Sequence, residues 1–168
     1  MANTKIIIKV KNFGNMTAEL YADKAPNTVA NFVKLAKENF FDGLIFHRVI
    51  KGFMIQGGGY DEAMTDKDTD SIKGEFKANG FMQNDLKHTR GVLSMARTSD
   101  PNSASSQFFI MHQDAPHLDA QYAGFGKLTD GFDVLDAIAS VKTGSYGWYM
   151  QDVPMTAVVI EKMEVISK

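Results

Sequence analysis

Apolar and polar positions set two different periods in the first forty residues. Ile6, Ile8 and Val10 alternate with Ile7 and Lys9, and Asn12-Phe13-Gly14-Asn15 then supplies turn residues. Met16, Ala18 and Leu20 alternate in turn with Thr17, Glu19 and Tyr21. Two runs of period two joined by a turn predict a β-hairpin. The period changes in DKAPNTVANFVKLAKENF, where Val29, Phe32, Val33 and Ala36 recur at i, i+3, i+4 and i+7. Asn31, Lys34 and Lys37 lie opposite that stripe, and Pro26 suits a first helical turn. A helix is expected over residues 26–39.

Strand-like segments dominate thereafter, at residues 44–50, 53–57, 91–97, 107–111, 123–128 and 156–166. A second helix fits 131–140, where Val134, Leu135 and Ile138 share one face. Polar stretches at 58–73, 98–105, 114–121 and 143–154 read as loops. Eight strands and two helices argue against alternating βαβ units. The expected fold is mainly β: an eight-stranded antiparallel sheet closed into a barrel, its open ends capped by two α-helices. The 168 residues fit one domain, 1–168.

Strand parity sorts the side chains by face. Arg48 opposes His47 and Val49; Met54 and Gln56 oppose Ile55; Ser94 and Ala96 oppose Met95; Gln107 and Phe109 oppose Phe108 and Ile110. Each segment therefore carries one core-like set and one mixed set. If the mixed sets coincide, they form a shallow surface with an arginine, two amides and an apolar floor, and the small Ala96 leaves room above it. The plainer alternative is a solvated barrel wall on which Gln56 and Gln107 bond each other or water.

Composition narrows the function classes. The net charge is −2 with no basic block, which argues against nucleic acid and anionic membranes as partners. The absence of cysteine excludes disulfides, cysteine zinc sites and thiol nucleophiles. MANTKIIIKVKNFG has too short an apolar run for a signal peptide or a membrane span, so a cytoplasmic location is expected. DKDTD at 66–70 has Ser71 and Lys77 where a calcium loop needs glycine and glutamate. Gly57-Gly58-Gly59 lacks the lysine of a phosphate loop. The four histidines, His47, His88, His112 and His117, form no HExxH. No GxSxG elbow is present, and a hydrolytic triad would have to be assembled from distant pieces. No metal or cofactor is implied.

The blocks APNTVANF, FHRVIKGFMIQGG, GVLSMA, SQFFI and HLDAQYAGFGKL follow one another as in cyclophilins. The chain resembles these peptidyl-prolyl cis-trans isomerases from about Ile6 to Val165. The resemblance implies an eight-stranded barrel with the site on its outer wall. It implies Arg48 as the catalytic arginine and Phe53, Met54, Phe109 and Leu118 as an apolar proline pocket. Gln56 and Gln107 match polar residues that hold substrate and orient the arginine. Ala96 and Arg97 match the backbone stretch that pairs with bound peptide, and Tyr122 matches a pocket wall. Three positions depart from many members: Arg97 replaces asparagine, Tyr122 replaces histidine, and His117 stands where eukaryotic enzymes carry a tryptophan. Without that indole, isomerase activity is expected to survive and cyclosporin A binding to weaken.

The activity so implied breaks no covalent bond. Its expected partners are proline-containing peptides and protein clients, and a monomer is the default. The competing expectation is a proline-binding module or holdase that uses the same groove without turnover; the retained Arg48 favours the enzyme. His47 is expected to be a structural, hydrogen-bonded residue on the opposite face. Trp148 is expected to pack locally within its loop, with a contact to partners at the rim as the other reading.

Overall fold

The computed structural model describes residues 3–147 and 150–167. Trp148 lies outside the described residues. The predicted hairpin forms from β1 (Thr4–Val10) and β2 (Gly14–Leu20) in uninterrupted register, with Ile6 opposite Ala18 and Ile8 opposite Met16. Helix α1 (Pro26–Lys37) follows, with proline in its first turn as expected. It ends two residues earlier than the apolar period suggested, because Asn39 takes a left-handed φ of 60°.

The remaining strands are shorter than their apolar segments, except β7, which runs two residues further. They are β3 (Arg48–Ile50), β4 (Met54–Gly57), β5 (Val92–Met95), β6 (Phe108–Met111) and β7 (Gly124–Asp130). After α2 (Phe132–Ala139) come β8 (Thr143–Tyr146), β9 (Met150–Pro154) and β10 (Ile160–Ser167). Residues 143–154 are therefore not a simple loop: β8 and β9 form a separate two-stranded antiparallel ribbon. Residues 77–79 and 116–118 form short 3-10 turns, the second inside the predicted 114–121 loop.

One curled eight-stranded sheet runs in the order β10-β1-β2-β7-β5-β6-β4-β3, every described pair antiparallel. Its two end strands are not joined as a ladder. The segment before β3 bridges the seam instead, with Phe46 N–H donating to Val158 O at 2.9 Å and Ile160 N–H donating to Leu44 O at 2.7 Å.

The concave side holds the main core. Alternate residues of β1 and β2 (Ile6, Ile8, Met16, Leu20) join Phe32 and Leu35 of α1 and Leu135 and Ile138 of α2 there. Phe32 anchors it through rings at 4.9–5.2 Å from Phe41, Phe108 and Phe125. A second apolar cluster occupies the outer wall and includes Met54, Val92, Phe109, Met111 and Leu118. No helix among the described residues is long and apolar enough to cross a membrane.

The start of α1 depends on a distant residue. Ala25 has no side chain able to cap the helix. The buried Glu75 carboxylate does so from 47 residues away. It accepts Thr28 N–H and Thr28 Oγ1–H, each at 2.7 Å, and Asn27 N–H at 3.2 Å. A carboxylate there meets both the free N–H groups and the positive end of the helix dipole.

Candidate active site

Parity places Arg48 outside. Val49 and His47 are buried, whereas Arg48 is exposed and stands opposite Gln56 in the β3–β4 ladder. Its guanidinium has no hydrogen-bond or ion-pair partner among the described residues. His47 goes inward, 5% exposed, and meets Tyr60 edge to face with ring centroids 4.7 Å apart. The burial was expected; the hydrogen bond was expected too, but Nδ1 has no partner. Desolvation, reinforced by the adjacent Arg48 charge, pushes the His47 pKa down to about 4, so the ring is neutral near pH 7.

A groove of about 140 Å³ opens beside Arg48. Phe53, Met54, Gln56, Ala96, Arg97, Phe109, Leu118 and Tyr122 line it with Arg48. Met54 and Phe109 form a dry floor, 2% and 5% exposed, and are not scattered surface residues. Tyr122 meets Phe109 edge to face at 5.8 Å. Gln107 lies in an adjoining cavity of about 150 Å³ that shares Gln56, Ala96 and Arg97 with the groove. Gln56 Nε2–H donates to Gln107 Oε1 at 3.0 Å, and Ala96 N–H donates to Gln107 O at 3.0 Å. The structure thus brings all ten sequence-selected residues to one continuous surface.

Arg97 does more than add charge. Its Nη1 and Nη2 donate to the carbonyls of Thr98 at 2.9 Å and Gln121 at 2.7 Å. Its guanidinium also sits between the rings of Phe76 and Tyr122, at 4.8 and 4.7 Å. The side chain straps two rims of the groove together. Phe76 was invisible to strand parity because it precedes a 3-10 turn far away in sequence.

Two polar networks missed in the sequence stand behind the apolar walls. Ser94 faces Phe109 across β5 and β6, and His88 stacks on Phe109 with centroids 6.1 Å apart. His88 Nδ1 lies 3.2 Å from Asp119 Oδ1 and Nε2 lies 2.8 Å from Ser94 Oγ. Because the carboxylate only accepts, Nδ1 carries the proton and Nε2 accepts from the serine. This is the layout of a hydrolytic triad assembled from distant pieces. Ser94 is 0% exposed, however, so its hydroxyl serves structure and meets no substrate. Burial lowers the His88 pKa, outweighing the opposite pull of Asp119.

The second network holds Phe53. Gly52 turns the chain with a φ of 83°. Its N–H donates to His112 Nδ1 at 2.8 Å, so the ring proton sits on Nε2, 3.1 Å from Asp136 of α2. Arg90 donates to both Asp136 oxygens, at 2.7 and 2.9 Å. Phe53 O in turn accepts from His112 N–H at 2.9 Å. His117 is exposed in the 3-10 turn at 116–118 and stacks on Phe53 with centroids 5.8 Å apart.

A free guanidinium beside a rigid apolar groove, with polar donors and acceptors at its rim, suits a neutral ring attached to an amide. The family model for cyclophilin type peptidyl-prolyl cis-trans isomerase/CLD matches residues 5–165. The chain belongs to this family. A peptidyl-prolyl cis-trans isomerase of Acinetobacter baylyi is 47% identical over 99% of this chain and 88% of its own length. Peptidyl-prolyl cis-trans isomerase B of Escherichia coli is 45% identical over 92% of this chain and 95% of its own. A crystal structure of a cyclophilin type isomerase of Cryptosporidium parvum superposes with a TM-score of 0.79 at 29% identity, covering 99% of both chains. That protein was also crystallised in the presence of the dipeptide Ala-Pro, and this second structure gives a TM-score of 0.78. The chain is accordingly a peptidyl-prolyl cis-trans isomerase with the cyclophilin fold.

Proposed function

We propose that the groove holds a prolyl ring and that Arg48 drives rotation about the preceding peptide bond. That bond faces a barrier of roughly 18–20 kcal/mol because of its partial double-bond character. Rotation breaks resonance and makes the prolyl nitrogen pyramidal, which turns it into an acceptor. A guanidinium donating there binds the twisted state better than either planar state, and only such differential binding raises the rate. Each ~1.4 kcal/mol of preference gives about tenfold. Phe53, Met54, Phe109 and Leu118 desolvate the ring, while Gln56 and Gln107 hold the flanking peptide. Ala96 and Arg97 supply backbone for peptide pairing, and Tyr122 closes the wall.

The observation that carries this reading is the unpartnered Arg48 guanidinium on the lip of a groove floored by the buried Met54 and Phe109. No proton need be transferred, so the rate is expected to be flat around neutral pH. A protease-coupled assay on an Ala-Ala-Pro-Phe peptide tests it. Arg48→Ala is expected to lower kcat/KM by about 100-fold, and Arg48→Lys to recover little, because a lysine lacks the planar fork. Equal rates in wild type and Arg48→Ala would remove Arg48 from the mechanism.

We further read the chain as one monomeric, cytoplasmic isomerase domain acting on proline-containing segments of protein clients. The bridged seam between residues 44–46 and 158–160 supports reading the sheet as a closed barrel.

A further inference from the structure

A second hollow, of about 370 Å³, lies on the other side of Arg48. His47, Arg48, Met150, Gln151 and Asp152 line it. Arg48 is the one residue that lines both this hollow and the apolar groove. A peptide whose proline fills the groove therefore brings a neighbouring residue beside the hollow, since successive Cα atoms are about 3.8 Å apart.

The walls are rich in acceptors. The Asp152 carboxylate has no hydrogen-bond or ion-pair partner among the described residues, although the residue is half-buried. Asp152 also holds a left-handed φ of 62°, a conformation that aspartate tolerates better than most residues. The amide of Gln151 adds another acceptor. His47, buried to within 5%, keeps a ring nitrogen without a partner. Among the described residues the only cation in the wall is Arg48, which the proline reading commits to the amide nitrogen.

We propose that this hollow is a second recognition site, taking a cationic, hydrogen-bond-donating side chain next to the prolyl residue, with Asp152 as its anionic contact. The inference rests on the groove being the proline site. An arginine fits best, because its five donors can meet a carboxylate and an amide oxygen together. A glutamate would set its charge against Asp152. The ribbon formed by β8 and β9 thereby becomes a specificity element placed beside β3.

Cis–trans exchange rates by NMR on short proline peptides test this, with arginine, alanine or glutamate immediately before the proline in one series and immediately after it in another. Wild type is expected to favour arginine over glutamate by about tenfold on one flank at low salt, with the ratio shrinking at high salt. Asp152→Asn keeps the backbone conformation accessible and is expected to bring that ratio below about threefold. Glu161→Gln, an exposed carboxylate on β10, should leave the ratio intact. A ratio near one on both flanks of wild type, or an unchanged ratio in Asp152→Asn, overturns the proposal. The alanine peptides report separately on the groove: failure of wild type to accelerate them would sink the parent reading instead. Should Asp152→Asn not fold, amide shifts in wild type decide. The arginine peptide should move Met150, Gln151 and Asp152 and the glutamate peptide should not; equal shifts overturn the proposal.

Discussion

Gln107 crosses Gly59 so closely that one added carbon would collide with it. A Cβ on Gly59 would stand 2.5 Å from Gln107 Cγ and Nε2. The glycine leaves the space in which Gln107 can accept from Gln56.

Gly59→Ala should therefore act as a mutation of Gln107. The Gln56–Gln107 bond is lost, and kcat/KM is expected to fall by about tenfold, the worth of one hydrogen bond of ~1.4 kcal/mol. Combined with Gln107→Ala it should add almost nothing, since both changes remove the same interaction. A fully additive double mutant would show that Gly59 acts elsewhere.

Glu75→Gln should destabilise the fold without touching the groove. The carboxylate accepts three bonds at the start of α1, while a glutamine offers one oxygen and turns an NH2 group toward a backbone donor. A loss of about 2 kcal/mol is expected, read as a lower urea midpoint at unchanged m-value. Native-like urea resistance would mean that the helix start finds another cap.

Acid should weaken the protein through its buried histidines. Burial lowers the pKa of both His47 and His88 below the unfolded value of about 6.5. The unfolded chain thus binds protons that the native state refuses. Stability is unaffected above that value and falls as pH drops from it toward the folded pKa. For His47, held at about 4, the full loss is roughly 3 kcal/mol and is complete only below that pH. Urea melts between about pH 7.5 and 4.5 measure it, and His47→Gln should flatten the slope. An equal slope in the variant would clear His47.

His117→Trp should strengthen cyclosporin A binding. His117 already stacks on Phe53 at the rim, so an indole there gains apolar area and a donor without new backbone. A Kd lower by at least about tenfold is expected from ~1.4 kcal/mol of added contact. Tight binding by the native protein would show the indole to be dispensable.

Much of the site was legible because it lies on strands. Period two separates Arg48 from His47 and Phe109 from Phe108 without any knowledge of the sheet order. The hairpin of β8 and β9 was missed for the converse reason: TGSY is half-exposed or exposed throughout, so it has no buried face to print a period. The supports of the groove were hidden by distance. Arg97 meets Phe76, His88 meets Asp119 and Thr28 meets Glu75 only after the sheet has curled. Local pattern carries no signal for such pairs. Gly59 was read only as a failed phosphate loop, although its role is steric.

The sheet order also sets a timetable. β1 takes β2 as one neighbour immediately but finds its other in β10, with Ile6 opposite Val165. During synthesis the first strand must therefore wait for the last with one edge unpaired and Ile6 and Ile8 incompletely covered. Such long-range pairing makes folding slow and leaves the nascent chain open to aggregation until β10 emerges. An enzyme that speeds rotation about prolyl bonds cannot complete its own eight-stranded sheet until β10 has been made.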